Sequence, residues 1–182
     1  MVRRILSATG AGRHSRVLSL GCGIGDTEIL LAPHVGEIVG LDPSPAAIRQ
    51  AREDAARAGV GNVRFEQGAL EAGAFSAAAF DLVMAVFLLH HLSGPKLVEL
   101  LERARGVLAQ GGLFYSIDPS RHRLSGAVGK VLFAKLMRRY RTPGERELDR
   151  RELEASFNGT GFRCSIGFYD FISSPLAGLL PG

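Results

Sequence analysis

The feature that most constrains the fold is a short apolar run that ends in three closely spaced glycines. Residues 17–25 read Val-Leu-Ser-Leu-Gly-Cys-Gly-Ile-Gly, and Asp26, a residue type that often begins helices, follows them. This order predicts a β-strand, a tight loop and a helix, because glycine permits sharp turns and the close approach of a ligand. In open α/β sheets, ligands bind outside the carboxyl ends of strands. We therefore predict a ligand site at Gly21, Gly23 and Gly25.

The following residues alternate between short apolar runs and helical patterns. Strands are predicted at residues 16–20, 37–41, 62–67, 80–86 and 113–117. Helices are predicted from Asp26, from Pro45 after an N-cap at Ser44, and from Pro95 up to the Gly111-Gly112 pair. The alternation predicts a doubly wound, mostly parallel, Rossmann-like α/β sheet with helices on both faces. We expect one domain over residues 1–182, with its core at 16–117.

The last third of the chain differs in charge. Residues 120–151 contain ten basic and three acidic side chains, whereas the whole chain has a net charge of +4. Residues 126–141 predict a basic amphipathic helix within a variable insertion at 120–147. Its basic face is interpreted as a solvated surface, a lid over an apolar or acidic acceptor, or a contact for a membrane surface or nucleic acid.

Residues 148–182 are predicted to form a helix, a strand and a tail. Asp149 and Glu152 form a variant of the capping box at the start of the helix. Residues 162–169 alternate between apolar and more polar side chains, which predicts a sixth strand with one wetter face. A sixth strand left as an open edge of the sheet would favour oligomerisation.

Composition excludes several classes of protein. With 182 residues, 46% hydrophobic and 22% charged, the chain is neither disordered, collagen-like nor a charge-rich coiled coil. Cys22 and Cys164 fit neither a disulfide framework nor a zinc site, so a reducing, cytoplasmic location and no metal are expected. The longest apolar run, at 82–89, is far below the ~20 residues of a membrane span. We expect no transmembrane segment and no signal peptide.

The residues around the glycine loop restrict its ligand. A dinucleotide site reads G-x-G-x-x-G, and here Asp26 stands at the last glycine position. A carboxylate in the first helical turn repels phosphate groups. Asp42, at the tip of the second strand, is placed to accept hydrogen bonds from both hydroxyls of a ribose. A ligand with a ribose and no phosphate is therefore favoured, S-adenosylmethionine is the natural candidate, and an NAD-dependent oxidoreductase is disfavoured.

Four sequence blocks, at residues 17–25, 40–44, 80–92 and 108–113, carry a family resemblance. In their order and spacing over residues 16–117, the chain resembles the class I S-adenosylmethionine-dependent methyltransferases, most of all the type 11 branch that includes the ubiquinone/menaquinone methyltransferases. The resemblance implies an enzyme that uses S-adenosylmethionine to methylate a small-molecule acceptor. Basic side chains that alternate with Phe133, Met137 and Tyr140 in the predicted basic helix suit an apolar or lipid-like acceptor. A non-catalytic, degenerate S-adenosylmethionine-binding domain is the alternative.

The resemblance also implies cofactor contacts. The glycine loop would line the methionine part, Asp42 would hold the ribose, Pro43 and the residues after the third strand would flank adenine, and the end of the fourth strand would border the amino group and the sulfonium. The implied cofactor-binding set is Gly21, Cys22, Gly23, Gly25, Asp42, Pro43, Ala69, Leu70, Ala85 and Val86.

Two positions depart from the family pattern. The family usually has an acid at the place of Ser19, which helps to anchor the amino group of the cofactor, and often has Asp at the place of Ala69. Each missing charge-assisted hydrogen bond costs about 1.5–3 kcal/mol, or roughly ten- to a hundredfold in affinity. The family's sheet also ends with an antiparallel strand, and since this chain ends soon after its sixth predicted strand, the resemblance implies that the final strand is missing or truncated. These three departures motivate the non-catalytic alternative.

The catalytic groups are left open by the sequence. The pair His90-His91 could include a general base, since imidazole exchanges protons near neutral pH, or could be one packed and one wet ring at the start of a helix. Cys22 is interpreted as a small residue tolerated between glycines and not as a nucleophile. No Asn-Pro-Pro-Tyr motif follows the fourth strand, which disfavours methylation of adenine in DNA, and a nucleic-acid partner is not expected.

Overall fold

A computed structural model describes residues 1–92, 94–118 and 148–167 of the chain. These residues contain five α-helices and five strands. In chain order they are α1 (Val2–Thr9), β1 (Arg16–Leu20), α2 (Asp26–Leu31), β2 (Glu37–Asp42), α3 (Pro45–Arg57), β3 (Val63–Gln67), β4 (Phe80–Val86), α4 (Gly94–Val107), β5 (Leu108–Ile117) and α5 (Arg150–Gly159), with single 3₁₀ turns at Ala32–His34 and Leu89–His91.

The strands form one sheet in the order β3-β2-β1-β4-β5. All four pairs of neighbouring strands are parallel. The chain moves outward from β1 to β3 and then returns to the other side of β1, so the order reverses between β1 and β4. Such a reversal leaves a crevice outside the carboxyl ends of the two strands. The predicted doubly wound parallel sheet is confirmed.

The central strand β1 is buried on both faces. Leu18 and Leu20 pack into one core cluster with Ala104 of α4, whereas Val17 packs into another with Ile5 of α1. All these side chains are at most 2% exposed. Helices that cover both faces of a parallel sheet explain why its strands read as nearly continuous apolar runs.

Local signals located most element boundaries. Ser44 begins α3 as predicted, with its Oγ accepting a hydrogen bond from the Ala47 N–H at 3.3 Å. Asp149 caps α5 through the Arg151 N–H at 2.9 Å. The helix α1 was not predicted, and its residue Ile5 is completely buried.

The sequence placed the start of β5 wrongly. The strand begins at Leu108, where α4 ends, and not after the glycine pair. Leu108 pairs with Phe80, and the register then jumps so that Leu113 pairs with Leu82. Gly111, at φ +78°, lies inside this irregularity. The glycines therefore mark a bulge within the strand and not the end of the helix.

The predicted sixth strand is also wrong over its described residues, since 162–167 form no regular secondary structure. Phe162 instead packs its ring against Phe114 and Phe157, at centroid distances of 6.0 and 5.8 Å. The edge strands of the described sheet are β3 and β5. The predicted basic helix at 126–141, residues 168 and 169, and the tail lie outside the described residues. Within the described ranges, no helix is long and apolar enough to cross a membrane.

Candidate functional site

The loop from β1 to α2 adopts the conformation that its glycines allow. Gly21, Gly23 and Gly25 all have positive φ, at +66°, +55° and +81°. A Cβ added to Gly25 would lie 2.5 Å from the Phe65 ring, whereas one added to Gly23 would meet no atom within 4 Å. Gly25 thus serves the close packing of α2 on β3, and Gly23 borders open space from which a ligand can approach.

Asp42 joins the tip of β2 to this loop. Its Oδ2 accepts a hydrogen bond from the Gly23 N–H at 2.9 Å, and its Oδ1 accepts one from the Ser44 N–H at 2.8 Å. The Asp42 carbonyl accepts from the Gly68 N–H at 3.0 Å, which brings in the loop after β3. Each carboxylate oxygen keeps further acceptor capacity, so Asp42 can still receive hydroxyl hydrogen bonds from a ligand.

The other predicted residues lie around the same edge of the sheet with different exposures. Pro43 and Ala69 are exposed, and Val86 is half-buried. Leu70 is 2% exposed and belongs to the core, so its main chain is what it can offer to a ligand. Ala85, completely buried, pairs with Leu20 across the two central strands.

Gly21 and Cys22 complete the predicted set. A Cβ on Gly21 would lie 2.9 Å from the Leu88 side chain, so the glycine loop and the chain after β4 are in contact. Burial raises the pKa of the Cys22 thiol, and the charges of Glu28 and Asp42 raise it further. A thiol held in its neutral form agrees with the interpretation of Cys22 as a small packing residue.

Sequence reasoning missed Glu28, which lies next to Ser19. The Ser19 hydroxyl donates a hydrogen bond to Glu28 Oε1 at 2.6 Å, and both side chains are at most 2% exposed. Burial raises the pKa of the Glu28 carboxyl, the hydrogen bond from Ser19 lowers it, and the charges of Asp26 and Asp42 raise it. An acid three residues before the buried Leu31, on the same face of α2, is the signal that could have revealed it.

A second buried acid lies at the end of β5. Asp118 Oδ1 is 2.9 Å from His90 Nδ1 and also accepts a hydrogen bond from the His90 N–H at 3.2 Å. Burial raises the pKa of the Asp118 carboxyl, while the hydrogen bonds from His90 lower it. His90 is 6% exposed, His91 is exposed, and their rings lie 4.0 Å apart. Of the two rings, one is therefore packed and one is exposed to solvent.

These features fit an S-adenosyl group. Open space above Gly23 leaves room for a ligand, Asp42 offers acceptors at the tip of β2, and Glu28 offers a buried carboxyl oxygen that has no partner among the described residues. A ligand that carries cations and hydroxyls matches this set of acceptors. A diphosphate would meet the carboxylates of Asp26, Glu28 and Asp42 instead.

Comparisons with known proteins agree with this geometry. Residues 17–112 match a family described as "Methyltransferase domain". An uncharacterized methyltransferase of Bacillus subtilis, YcgJ, is 34% identical over 103 residues, which are 57% of this chain and 40% of YcgJ. The crystal structure of YcgJ superposes with a TM-score of 0.72 at 28% identity and covers 87% of this chain and 66% of that one.

Two further relatives differ in what their names say they act on. A ubiquinone biosynthesis O-methyltransferase of Azorhizobium caulinodans is 31% identical over 154 residues, 82% of this chain and 59% of that protein. A 23S rRNA (uracil(1939)-C(5))-methyltransferase of Xylella fastidiosa is 43% identical over 65 residues, 36% of this chain and 15% of that protein. This chain therefore matches less than two thirds of the length of these relatives. It belongs to the family of class I S-adenosylmethionine-dependent methyltransferases, through the methyltransferase domain at residues 17–112.

Proposed function

We propose that this protein transfers a methyl group from S-adenosylmethionine to a hydroxyl group of a small, apolar molecule. The observation that carries the proposal is the bond between the Asp42 carboxylate and the Gly23 N–H, which joins the glycine loop to the tip of β2 beside open space. The glycine loop follows β1, one of the two strands between which the strand order reverses. The family match supports the same cofactor.

The cofactor, when bound, supplies a methyl group made electrophilic by a sulfonium. In this proposal, Asp42 accepts hydrogen bonds from the ribose hydroxyls, and the backbone of the glycine loop borders the methionine part. Pro43 and Ala69 flank the adenine, and Ala85 and Val86 border the amino group and the sulfonium. Since methyl transfer is an in-line displacement, much of the rate can come from holding the acceptor close and aligned.

His90 is the group best suited to take a proton from the acceptor. An Asp118 carboxylate beside Nδ1 favours the tautomer with its proton on that nitrogen, which leaves the lone pair on Nε2. In the proposed step, the acceptor oxygen bonds to the methyl carbon, the carbon–sulfur bond breaks and its electrons stay on sulfur, and the hydroxyl proton passes to His90 Nε2. Asp118 acts as a positioning residue.

Two exposed apolar side chains support an apolar acceptor. Phe87, directly after β4, is 42% exposed and has a φ of +58°, which is strained for a phenylalanine. Ile24, in the glycine loop, is 46% exposed. Strained residues concentrate at functional sites. The relative named for ubiquinone biosynthesis aligns with much more of this chain than the rRNA methyltransferase does.

The test is a methyl-transfer assay with S-adenosylmethionine labelled in its methyl group. The acceptors are lipophilic phenols, ribosomal RNA and a blank without acceptor. We expect label in the phenol, and a His90→Gln variant with kcat lowered roughly 10²–10⁴-fold and unchanged affinity for S-adenosylhomocysteine. His91→Gln is the matched control and should change kcat only a few-fold.

Other outcomes would point elsewhere. Label in the RNA alone would overturn the proposed acceptor. Tight binding of S-adenosylhomocysteine without transfer to any acceptor would favour the non-catalytic alternative. A loss of activity in His91→Gln that His90→Gln does not show would assign the proton transfer to the exposed ring.

We also propose that the protein acts in a reducing compartment such as the cytoplasm, which is supported by Cys22 and Cys164, since they are not paired in a disulfide. A further proposal is self-association through an edge of the sheet, supported by β5, one of the two edge strands of its described part. Light scattering that finds only monomers over a wide concentration range would count against it.

A further inference from the structure

Glu28 has one carboxylate oxygen, Oε2, that is buried and makes no hydrogen bond to the described residues. Glu28 is 2% exposed, and Ser19 binds its Oε1. Within the described part of the chain, Oε2 is buried without a hydrogen-bond partner. Protonation does not resolve this, because a proton on Oε1 leaves Oε2 without a donor and a proton on Oε2 leaves it without an acceptor. Such a buried polar atom costs about 1–3 kcal/mol, so it calls for a physical explanation.

The position of this carboxylate relates it to the glycine loop. Ser19 stands two residues before Gly21, in register with Gly40 of β2 and Met84 of β4. The negative charge of Glu28 also acts on the Cys22 thiol inside the loop. Ser19 of β1 and Glu28 of α2 therefore flank the glycine loop, which joins these two elements beside the crevice.

The charges around Glu28 favour the binding of a cation. Asp26 in the first turn of α2 and Asp42 at the tip of β2 both act on its carboxyl, and both are acids. Asp42 already accepts two backbone N–H groups, whereas Glu28 accepts one hydroxyl. A cationic ligand that donates hydrogen bonds would relieve both the repulsion and the unpaired oxygen.

We propose that Glu28 binds the α-ammonium group of the cofactor, with Ser19 orienting its carboxylate. The inference rests on the proposed function, because it takes S-adenosylmethionine as the ligand. Of the two cations in that molecule, the sulfonium has no hydrogen to donate, whereas the ammonium has three. An acid carried by α2 and held by a β1 serine would thus supply the negative charge that Ser19 itself lacks.

The experiment is titration calorimetry with S-adenosylhomocysteine and with its analogue in which hydrogen replaces the α-amino group. Wild-type protein should bind the amino compound roughly ten- to a hundredfold more tightly than the analogue, the range expected of one charge-assisted hydrogen bond. In Glu28→Gln, that ratio should fall towards one, because affinity for S-adenosylhomocysteine drops while affinity for the analogue stays. Asp26→Asn, which removes a neighbouring exposed acid, is the matched control and should keep the wild-type ratio.

Several results would overturn the proposal. Equal affinity of wild-type protein for both compounds would mean that the amino group makes no such contact, and this needs no variant. An equal loss for both compounds in Glu28→Gln would indicate a purely structural role. If that variant does not fold, Ser19→Ala should still lower the affinity for S-adenosylhomocysteine and leave the affinity for the analogue unchanged. If neither adenosyl compound binds wild-type protein, the proposed function fails together with this inference. Equal binding of the two compounds would overturn this inference alone.

Discussion

Two carboxylates beside the glycine loop have opposite environments. Asp42 is half-buried, and each of its oxygens accepts a hydrogen bond from a backbone N–H. Glu28 is almost completely buried and has one hydroxyl donor for two oxygens. At the scale of single residues, Asp42 is therefore suited to accept hydrogen bonds from neutral hydroxyl groups, whereas Glu28 is suited to bind a cation that donates hydrogen bonds.

This difference predicts a pH dependence of stability. Because burial raises the pKa of Glu28 in the folded state, folded protein keeps a proton that unfolded protein has already lost. The free energy of unfolding should therefore fall as the pH rises from the unfolded pKa towards the raised folded pKa. Glu28→Gln should weaken this fall, so that the ligand-free variant gains stability relative to wild type between about pH 4 and about pH 7.

Urea denaturation of both proteins at those two pH values measures the effect. Asp118, whose pKa burial also raises, contributes a fall of the same direction to both proteins and cancels in the comparison. The same pH dependence in wild type and Glu28→Gln would contradict the account of this carboxyl.

At the scale of elements, the glycines of the loop have separable roles. Gly25→Ala places a methyl group against Phe65 in addition to a positive φ, whereas Gly23→Ala meets only the positive φ. An alanine in this conformation costs about 1–2 kcal/mol, and overpacking typically adds about 1–3 kcal/mol. We expect Gly25→Ala to lower the free energy of unfolding by more than Gly23→Ala does.

For ligand binding we expect the opposite order. Compared with its loss of stability, Gly23→Ala should lose more ligand affinity than Gly25→Ala does. Gly23→Ala puts its methyl group into the open space beside the loop. This variant should therefore bind S-adenosylhomocysteine more weakly although it remains folded. Denaturation curves and calorimetry on the same preparations provide both rankings. Equal stabilities of the two variants would contradict the packing role of Gly25.

Elements with strong local signals could be predicted from the sequence, and elements that depend on distant contacts could not. The Ser44-Pro45 start of α3 is encoded within four residues, because the cap and the proline act locally. The start of β5 depends on pairing with Phe80, which no local pattern reveals. Alternation at 162–167 satisfies the period of a strand, yet Phe162 packs into an aromatic cluster instead.

The candidate site divides in the same way. The glycine loop and Asp42 could be found because motif spacing and strand ends are written in the sequence, and the structure brings them together. The relation between Ser19 and Glu28 could not, because it requires the contact between α2 and β1. The sequence therefore reveals that Ser19 departs from the family pattern, but it does not reveal that Glu28 lies next to Ser19 in the fold.

At the scale of the molecule, the segment after the undescribed region joins the same core as the sheet. Phe157 of α5 packs with Leu97 and Leu101 of α4 and edge-on to Phe114 of β5, at a centroid distance of 5.4 Å. The Arg105 side chain donates to the Thr160 carbonyl at 2.8 Å. These contacts support our proposal that the whole chain is one domain.

A single domain should unfold in one transition. Phe157→Ala removes a large, 8% exposed side chain from the shared cluster and should cost about 3–5 kcal/mol. Circular dichroism and tyrosine fluorescence should report the same shifted midpoint, because α5 and the sheet unfold together. Two separated transitions, with only one of them moved by the variant, would show that α5 belongs to a unit of its own.

The central claim is that the crevice beside β1 binds an adenosyl compound through Asp42. Calorimetry with S-adenosylhomocysteine, on wild-type protein and on Asp42→Ala, tests it most directly, with NAD as the comparison ligand. The account predicts micromolar or tighter binding of S-adenosylhomocysteine, a loss of roughly tenfold or more in Asp42→Ala, and no comparable binding of NAD. Tight binding of NAD, or binding of S-adenosylhomocysteine that Asp42→Ala leaves unchanged, would contradict it.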